Sequence, residues 1–584
     1  MPQPIASPRN LGQLTYFLVF ITFFLIGLAL YSHTLEAPFY LDDTINIQDR
    51  LYAIKALSPD ELGRAAFEGF APRRPLANLS FALNYYFHGL RLPGYHWVNI
   101  VIHIMNGALL YLFIFKTITL PEQPQSCRHP VWIALLSSLL WFVNPVETQA
   151  ITYIVQRMTS MATLFFMGSF VLYVYGRVSQ KNPQRAIFFL FSVLCWVLSA
   201  ASKEIALTLP ALIFVYEWLF FQDLNMTWLR KSTAWLVAGF AGLLAVGYFF
   251  YHYTPASFLT EVLQPRAFTA LERFFTETRV VFLYLSLIVY PHPERLNLNH
   301  DIAASHSLFD PMTTLVSFAG LLALLILTLL TLKRCRIVAF SLIWFFANVA
   351  IEAMAADIEL MFEHRAYLPS MLFFLPFVWL LSRWKKPGLA FSGVAVAIVI
   401  FSFWTYQRNA LWNDEVSFWE DAVRKSPNHY RGYANLGVGY LHAKEYGPAQ
   451  EALEKALSLG PPYPTEIHVN VGLAHLEQGQ LEAARENLNR ALALNRNNYV
   501  ALDLLGTVSR REKDNQQAAK WYEQALEINP EFATSYHNLA ILHKETGDAD
   551  KALKALKRAI ALRPMSANAY GTLGLIQAEQ GDYD

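Results

Sequence analysis

Long apolar runs in the first 405 or so residues constrain the fold more than any other feature of this chain. About eleven of them are long enough, or nearly so, to cross a bilayer as helices. They lie at 12–31, 97–115, 131–145, 158–176, 186–200, 206–221, 233–252, 312–332, 337–353, 366–382 and 388–405. Hydrophobic residues make up 54% of the whole chain. Because that share is too high for an ordinary soluble protein, the sequence predicts a polytopic membrane protein.

Basic residues between the runs predict the orientation of the chain. With the N-terminus in the cytoplasm, the positive-inside rule places the first basic connections inside. The later ones also fall inside only if the amphipathic stretch 268–290 does not cross, so we predict an interfacial or re-entrant helix there. The basic connections are 116–128, 177–185, 230–231, 333–336 and 383–386. The first run is expected to be an uncleaved span that also acts as a signal.

The C-terminal part carries a repeat with a period of 34 or 35 residues. Triplets of the Asn-Leu-Gly type begin at positions 435, 470, 504, 538 and 572, and alanines follow at fixed offsets. Small residues at these offsets let paired antiparallel helices approach closely, which is typical of tetratricopeptide repeats. We expect such repeats to bind a peptide or protein, with Asn435, Asn470 and Asn538 contacting its backbone. The alternative is that these asparagines are solvated surface residues.

These patterns predict an all-α chain in three parts. Residues 1–405 form the multi-span membrane module, 406–426 form a linker helix, and 427–584 form four complete tetratricopeptide repeats and one partial repeat. An odd number of crossings places the repeats outside the cytoplasm.

Two adjacent carboxylates follow the first apolar run. Asp42 and Asp43 lie in the stretch FYLDDTIN, at the predicted outer membrane face. An acidic pair at this position is costly unless water, a cation or a substrate meets it, so the pair is a candidate catalytic group. The alternative is an exposed turn or helix cap.

Further polar groups are predicted at the same face. They are Arg73 and Arg74, the stretch NPVETQ from Asn144, the stretch SKE with Lys203 and Glu204, and the stretch EHRAY with Glu363, His364 and Arg365. A carboxylate beside cations matches a reaction with a phosphate leaving group. Alternatively, the arginine pair anchors a loop at the lipid headgroups and the other charges form structural ion pairs.

Charge and cysteine usage exclude other classes. The net charge is +1 and no large basic cluster occurs, so nucleic acid is not an expected partner. Cys127, Cys195 and Cys335 are far apart and are expected to be small core residues. His96 and His103 have no ligand neighbours at zinc spacing, so no metal site is predicted from spacing. A divalent cation between carboxylate and phosphate stays possible.

The motifs together resemble one family. The stretches FYLDDTIN, RRPLANLSFALNYYFHGL, GYHWVNIVIHIMN, NPVETQAITYIVQR, SKEIALTLP and EHRAYLPS, followed by the repeats, resemble the transmembrane and tetratricopeptide-repeat-containing O-mannosyltransferases and their bacterial relatives. The resemblance implies a C-type membrane glycosyltransferase fold whose first outer loop carries the catalytic acid motif, here Asp42 and Asp43. It also implies a polyprenyl-phosphate-linked sugar donor and a Ser or Thr acceptor.

Candidate donor contacts follow from the same resemblance. They are Arg73, Arg74, Arg157, Lys203, Glu204, Glu363, His364 and Arg365. Asn144 and Gln149 differ from the animal pattern, so the resemblance leaves the sugar open. The short loops indicate a bacterial protein with its site and repeats on the periplasmic side of the inner membrane. The alternative function is a non-enzymatic, membrane-anchored repeat scaffold for an envelope or secretion complex.

Overall fold

The computed structural model describes residues 12–47, 52–69, 71–120, 128–234, 269–353, 359–563 and 566–579. Within these ranges the regular structure is helical and includes no β-strand, which confirms the predicted all-α class. The chain divides into two compact units, Met1–Asp414 and Glu415–Asp584. This boundary falls inside the predicted linker 406–426.

The first unit is built from helices of very different length. In chain order they are α1 (Gln13–Tyr31), α2 (Asp42–Ile47), α3 (Pro59–Phe67), α4 (Pro75–His88), α5 (Leu92–Ile118), α6 (Pro130–Phe142), α7 (Thr148–Thr152), α8 (Arg157–Val178), α9 (Asn182–Ala200), α10 (Leu209–Phe220), α11 (Ala270–Val289), α12 (Met312–Arg334), α13 (Arg336–Ala353), α14 (Leu375–Leu381) and α15 (Pro387–Ala410). Proline lies at the start of α4, α5, α6, α9, α10 and α15, where its missing N–H costs no hydrogen bond.

The predicted polytopic architecture is confirmed. Among the described residues, 7 helices are long and apolar enough to cross a membrane, or 8 if the bent pair Pro130–Phe142 and Pro145–Thr152 is one span. The predicted runs 206–221 and 366–382 form shorter helices instead. The predicted run 233–252 and Cys127 lie outside the described residues, apart from the first two residues of that run. The count of about eleven spans is therefore an approximation.

The stretch predicted to lie at the interface forms one continuous helix, α11, of 20 residues. A capping box between Thr269 and Glu272 fixes its start. Tyr284 donates a hydrogen bond to the Phe362 carbonyl (2.9 Å), and Asn144 donates one to the Ile288 carbonyl (3.0 Å). Asn144 begins one segment predicted at the outer face and Phe362 directly precedes another, so these contacts favour an interfacial helix.

Buried tryptophans hold the EHRAYLPS segment against the helices. Trp141 of α6 donates from Nε1 to Ser370 Oγ (3.0 Å), and Trp344 of α13 donates to the Leu368 carbonyl (2.9 Å). Both indoles are fully buried. Because a buried indole N–H needs a partner, these bonds fix the position of the segment that carries three predicted site residues.

The second unit is an array of paired antiparallel helices. They are α16 (Glu415–Lys425), α17 (Tyr430–His442), α18 (Tyr446–Ser458), α19 (Thr465–Glu477), α20 (Leu481–Leu494), α21 (Tyr499–Arg511), α22 (Asn515–Ile528), α23 (Ala533–Glu545), α24 (Ala549–Leu562) and α25 (Ala567–Glu579). The repeat alanines are buried as predicted, from Ala449 through Ala559. A Cβ on Gly437 would lie 2.4 Å from Leu453 Cγ, so only glycine fits there.

The predicted linker contains more than one element. Residues 406–410 complete α15, Leu411–Asn413 form a short 3-10 turn, and α16 then begins the second unit. Trp412 in the first unit and Trp419 in the second are both buried.

Candidate active site

The two carboxylates of the acidic pair have different surroundings. Asp43 is fully buried, and its carboxylate accepts hydrogen bonds from the backbone N–H groups of Tyr40 (3.0 Å) and Val155 (2.6 Å). Asp42 has an exposed side chain, and its backbone N–H donates to the Tyr153 hydroxyl (2.9 Å). Asp43 therefore holds the loop in place, while the Asp42 carboxylate is the one that a substrate can reach.

Burial also changes the proton affinity of Asp43. Loss of hydration raises the pKa of Asp43 to about 8, although the N–H groups of Tyr40 and Val155 act in the opposite direction. The neighbouring Asp42 carboxylate raises it further. A group that keeps its proton near neutral pH is a poor proton acceptor, which again leaves Asp42 as the candidate base.

An aromatic cluster of Tyr40, Tyr153 and Trp412 packs against the acidic loop. The Tyr40 hydroxyl donates to the Trp412 carbonyl (2.7 Å), and the Tyr40 and Trp412 rings pack edge to face at 5.2 Å. The Tyr153 ring stacks on Trp412 at 6.0 Å. Tyr40 bonds Asp43 and Tyr153 bonds Asp42, so Trp412 braces both partners of the acidic pair.

A cluster of cations lies on the connections after α3, α9 and α13. Arg74 pairs with Glu204 (Nη2 to Oε2, 2.9 Å). Lys203 pairs with Glu352 (2.6 Å), which also pairs with Arg365 (3.3 Å). Glu352 thus bridges two of the predicted donor contacts, and we name Arg74, Lys203 and Arg365 the basic cluster.

The three cations of the basic cluster pair with two carboxylates, Glu204 and Glu352. Burial lowers the pKa of Lys203, the Glu352 carboxylate opposes this effect, and Arg74 and Arg365 lower the pKa further by like-charge repulsion. The Lys203 side chain is 10% exposed and the Arg74 side chain 31%. Three cations near each other, with a partly accessible edge, form a site that favours an anion such as a phosphate.

One segment joins the acidic loop to the basic cluster. Tyr153 and Val155 bond the acidic loop, whereas Met158 contacts Arg74 through its sulfur (3.3 Å) and Thr159 accepts a hydrogen bond from Lys203 (3.0 Å). Residues 153 to 159 cover about 10 Å along a helical path. The acidic loop and the basic cluster therefore belong to one site.

His364 lies beside the basic cluster as a neutral side chain. Gln149 Oε1 accepts hydrogen bonds from the backbone N–H (2.7 Å) and from Nδ1 (2.8 Å) of His364. Because the backbone N–H can only donate, Gln149 presents its oxygen, and the Nδ1 atom must then carry the imidazole proton. Burial and the nearby cations Lys203, Arg365 and Arg74 hold the pKa of His364 well below its usual range.

Arg157 contacts other protein groups rather than the open face. Its guanidinium is fully buried and donates to Asn99 Oδ1 (2.7 Å) and to the Tyr95 carbonyl (2.9 Å). It also donates to Asn84 and lies over the Phe81 ring. Arg157 thus joins α4, α5 and α8, and its predicted donor contact stays a prediction.

The remaining predicted contacts divide into exposed and buried groups. The Arg73 side chain is exposed. The Glu363 carboxylate is fully buried and accepts hydrogen bonds from the Asn297 backbone (2.6 Å) and from His300 Nε2 (3.0 Å). Glu363 therefore anchors the loop before α12, whereas the Arg73 side chain lies at the surface.

The three predicted recruitment residues in the repeats also differ. Asn435 donates to the Arg431 carbonyl one turn earlier (2.8 Å). Asn538 donates to both oxygens of Asp503 in the preceding repeat (2.9 and 3.1 Å). Within the described part of the second unit, Asn470 makes no side-chain hydrogen bond. Asn470 is therefore the most available for an acceptor, and Asn538 joins neighbouring repeats.

The described residues contain no group of three or more His, Cys, Asp or Glu side chains that could hold a metal ion. The predicted option of a divalent cation bound jointly by protein and phosphate stays a prediction.

Sequence reasoning missed several residues that build the site. Glu352, the bridging carboxylate, lies at the end of an apolar span, and a charge at that position was a usable signal. Glu277 faces the same cluster from α11, and burial raises its pKa to about 7. The bracing roles of Tyr153 and Trp412 depend on contacts distant in sequence, which no local pattern shows.

Fold and site together define the class: a polytopic helical membrane protein with a polar site on its loops and a C-terminal array of tetratricopeptide repeats. Tetratricopeptide repeat family models match residues 465–498 and 499–565. A solved structure of MamA is 26% identical and covers 26% of this chain and 88% of its own, with a TM-score of 0.23.

Two curated relatives then specify the resemblance. The chain is 25% identical to the protein O-mannosyl-transferase F38B6.6 of Caenorhabditis elegans, over 78% of this chain and 65% of the worm protein. It is 22% identical to the human protein O-mannosyl-transferase TMTC3, over 90% of this chain and 61% of the human protein. The chain thus spans less than two thirds of these relatives. They confirm the resemblance predicted from the motifs.

Proposed function

We propose that this protein is a membrane glycosyltransferase that moves a sugar, with mannose as the first candidate, from a polyprenyl-phosphate donor to Ser or Thr hydroxyls of exported proteins. The similarity to protein O-mannosyl-transferases supports the reaction class. The observation that carries the proposal is the shared segment Tyr153–Thr159. It contacts the acidic loop at one end and the basic cluster at the other.

In the proposed reaction the donor phosphate binds at the basic cluster. Arg74 and Lys203 contact the phosphate. Arg365, which pairs with Glu352, adds positive charge without direct contact. As the bond between the anomeric carbon and the phosphate oxygen breaks, its electron pair stays on the phosphate. The cations stabilise that growing charge, which lowers the barrier relative to reaction in water.

The acceptor hydroxyl approaches on the side of the acidic loop. The exposed Asp42 carboxylate takes the hydroxyl proton while the oxygen bonds to the anomeric carbon, so the configuration at that carbon inverts. The buried Asp43 keeps the loop in position through Tyr40 and Val155. Holding donor and acceptor at one site supplies the proximity that the reaction needs.

The repeats recruit the acceptor protein in this scheme. Asn470 has no side-chain partner within the described part of the array and is the proposed contact to an extended acceptor segment. The positive-inside pattern supports a site on the outer face of the membrane, and the short loops support a bacterial inner membrane, whose outer face is periplasmic. His364 contributes an unprotonated Nε2, which accepts a hydrogen bond from a sugar hydroxyl better than it binds a phosphate.

The test is the intact mass of exported proteins from cells that carry the wild-type gene or the Asp42→Asn variant. Sugar-sized mass increments should occur with the wild type and disappear with the variant, at equal amounts of membrane-inserted protein. The Glu36→Gln variant, in the same outer stretch but outside the acidic pair, serves as the matched control and should keep them. Unchanged masses in the Asp42→Asn cells would favour the scaffold function.

A further inference from the structure

An open groove lies between the N-terminal ends of α6 and α15, far from the candidate active site. Its volume is about 410 Å³, and its lining includes Trp132, Leu136 and Phe391. A Cβ on Gly388 would meet no atom within 4 Å, so the groove is open above that residue. A cavity of this size accommodates part of an acyl chain or another small apolar group.

Three basic residues adjoin, along the chain, two residues that line the groove, His129 and Pro387. Arg128 precedes α6, and Lys385 and Lys386 precede α15; all three side chains are exposed. Within the described part of the chain, none of the three forms an ion pair or a side-chain hydrogen bond. The stretches 128–144 and 383–395 contain no acidic residue. Cations without an acidic partner among the described residues, beside an apolar groove, complement a molecule with an anionic head and a hydrocarbon tail.

The groove is too distant from the acidic loop to hold the reacting donor phosphate. Helix α15 runs for 24 residues from Pro387, at the groove, to Ala410. Its length is about 36 Å, which is enough to cross a membrane core of about 30 Å. Trp412, which braces the acidic loop, lies just beyond its other end. A phosphate at Lys385 and Lys386 is therefore at the opposite membrane face.

We propose that this groove binds an anionic glycerophospholipid, with an acyl chain against Trp132 and Phe391 and the headgroup phosphate at Arg128, Lys385 and Lys386. The exposed Trp132 indole adds an interfacial contact, since tryptophan favours the headgroup level of a bilayer. Such a lipid fastens α6 to α15, two of the helices that lead to the candidate active site. The proposal is independent of the proposed transferase function.

Native mass spectrometry of the full chain in detergent tests whether the groove binds an anionic lipid. Phosphatidylglycerol and phosphatidylethanolamine with the same acyl chains are added in turn. Because three cations face the headgroup, we expect phosphatidylglycerol to be retained about tenfold better. Retention should fall to the phosphatidylethanolamine level in the Lys385→Glu, Lys386→Glu double variant. It should also fall in Gly388→Trp, which fills the groove and leaves the charges intact.

The matched control is Lys333→Glu, Arg334→Glu, which reverses charge at another predicted cytoplasmic connection. This variant should retain phosphatidylglycerol as the wild type does. Equal retention of the two lipids by the wild type overturns the proposal, as does unchanged retention in the double variant. If the control variant loses as much phosphatidylglycerol as the double variant does, the proposal is also overturned, because such a loss indicates general attraction between charges. Displacement of the lipid by equimolar polyprenyl phosphate would reassign the groove to the donor.

Discussion

Replacing the two aspartates one at a time should separate the fold from the reaction. In Asp43→Asn, the new side chain has a single acceptor oxygen for the two backbone N–H groups of Tyr40 and Val155. One N–H then faces the amide nitrogen and loses its partner. An unpaired buried N–H costs about 1–3 kcal/mol of folding free energy. Asp42→Asn changes an exposed side chain and should cost less than about 0.5 kcal/mol.

The pH dependence of folding stability is a second test of the buried state of Asp43. Burial raises its pKa from 3.8 to about 8, so between these values the folded chain keeps a proton that the unfolded chain has lost. Folding stability should therefore fall as the pH rises through this interval and level off above it. The slope contributed by one group is at most about 1.4 kcal/mol per pH unit. In Asp43→Asn this contribution is absent.

Thermal unfolding of the detergent-solubilised chain, followed by tryptophan fluorescence at about pH 5 and about pH 8, measures both effects. We expect the wild type to unfold at a lower temperature at the higher pH, and Asp43→Asn to show a smaller difference between the two. Asp42→Asn should follow the wild type in stability and lose about 10²-fold or more in transfer rate. An unchanged pH slope in Asp43→Asn, or equal destabilisation by the two variants, would refute this division of roles.

Three further predictions follow from the same contacts. Glu352→Gln leaves Lys203 buried without a carboxylate and should cost about 3 kcal/mol, measured by thermal unfolding; an unchanged midpoint contradicts the bridging role. Arg74→Ala removes a proposed contact to the donor phosphate, so the donor KM should rise in steady-state assays. Stability should change little, because the half-exposed ion pair with Glu204 is worth less than about 1 kcal/mol. Asn470→Ala should weaken acceptor binding in calorimetry without lowering the circular-dichroism melting temperature, whereas Asn538→Ala should lower that temperature.

The regular patterns in the sequence predicted the architecture well because they are local. Runs of apolar residues and the repeat with its buried alanines depend on periods of a single helix or helix pair. The span count was less exact, because α10 and the segment around α14 are apolar but short. Their ends are set by the loops that they enter, and periodicity carries no information about those loops.

The site was predictable by residue type more than by role. Charged groups at one face pointed to Asp42, Arg74, Lys203 and Arg365, which the structure brings together. The sequence pattern does not show that Arg157 donates its hydrogen bonds to a buried amide and a buried carbonyl group. Such roles are decided by contacts between residues distant along the chain, and one sequence does not contain them.

Transfer by the purified chain tests the central claim most directly. The protein is placed in liposomes with a polyprenyl-phosphate-linked mannose and a Ser/Thr-rich peptide, and the peptide mass is measured. We expect the wild type to add one hexose per modified hydroxyl, Asp42→Asn to do so at least about 100-fold more slowly, and no transfer when a nucleotide sugar replaces the lipid donor. Transfer by Asp42→Asn at the wild-type rate, or direct use of the nucleotide sugar, would contradict the proposed reaction.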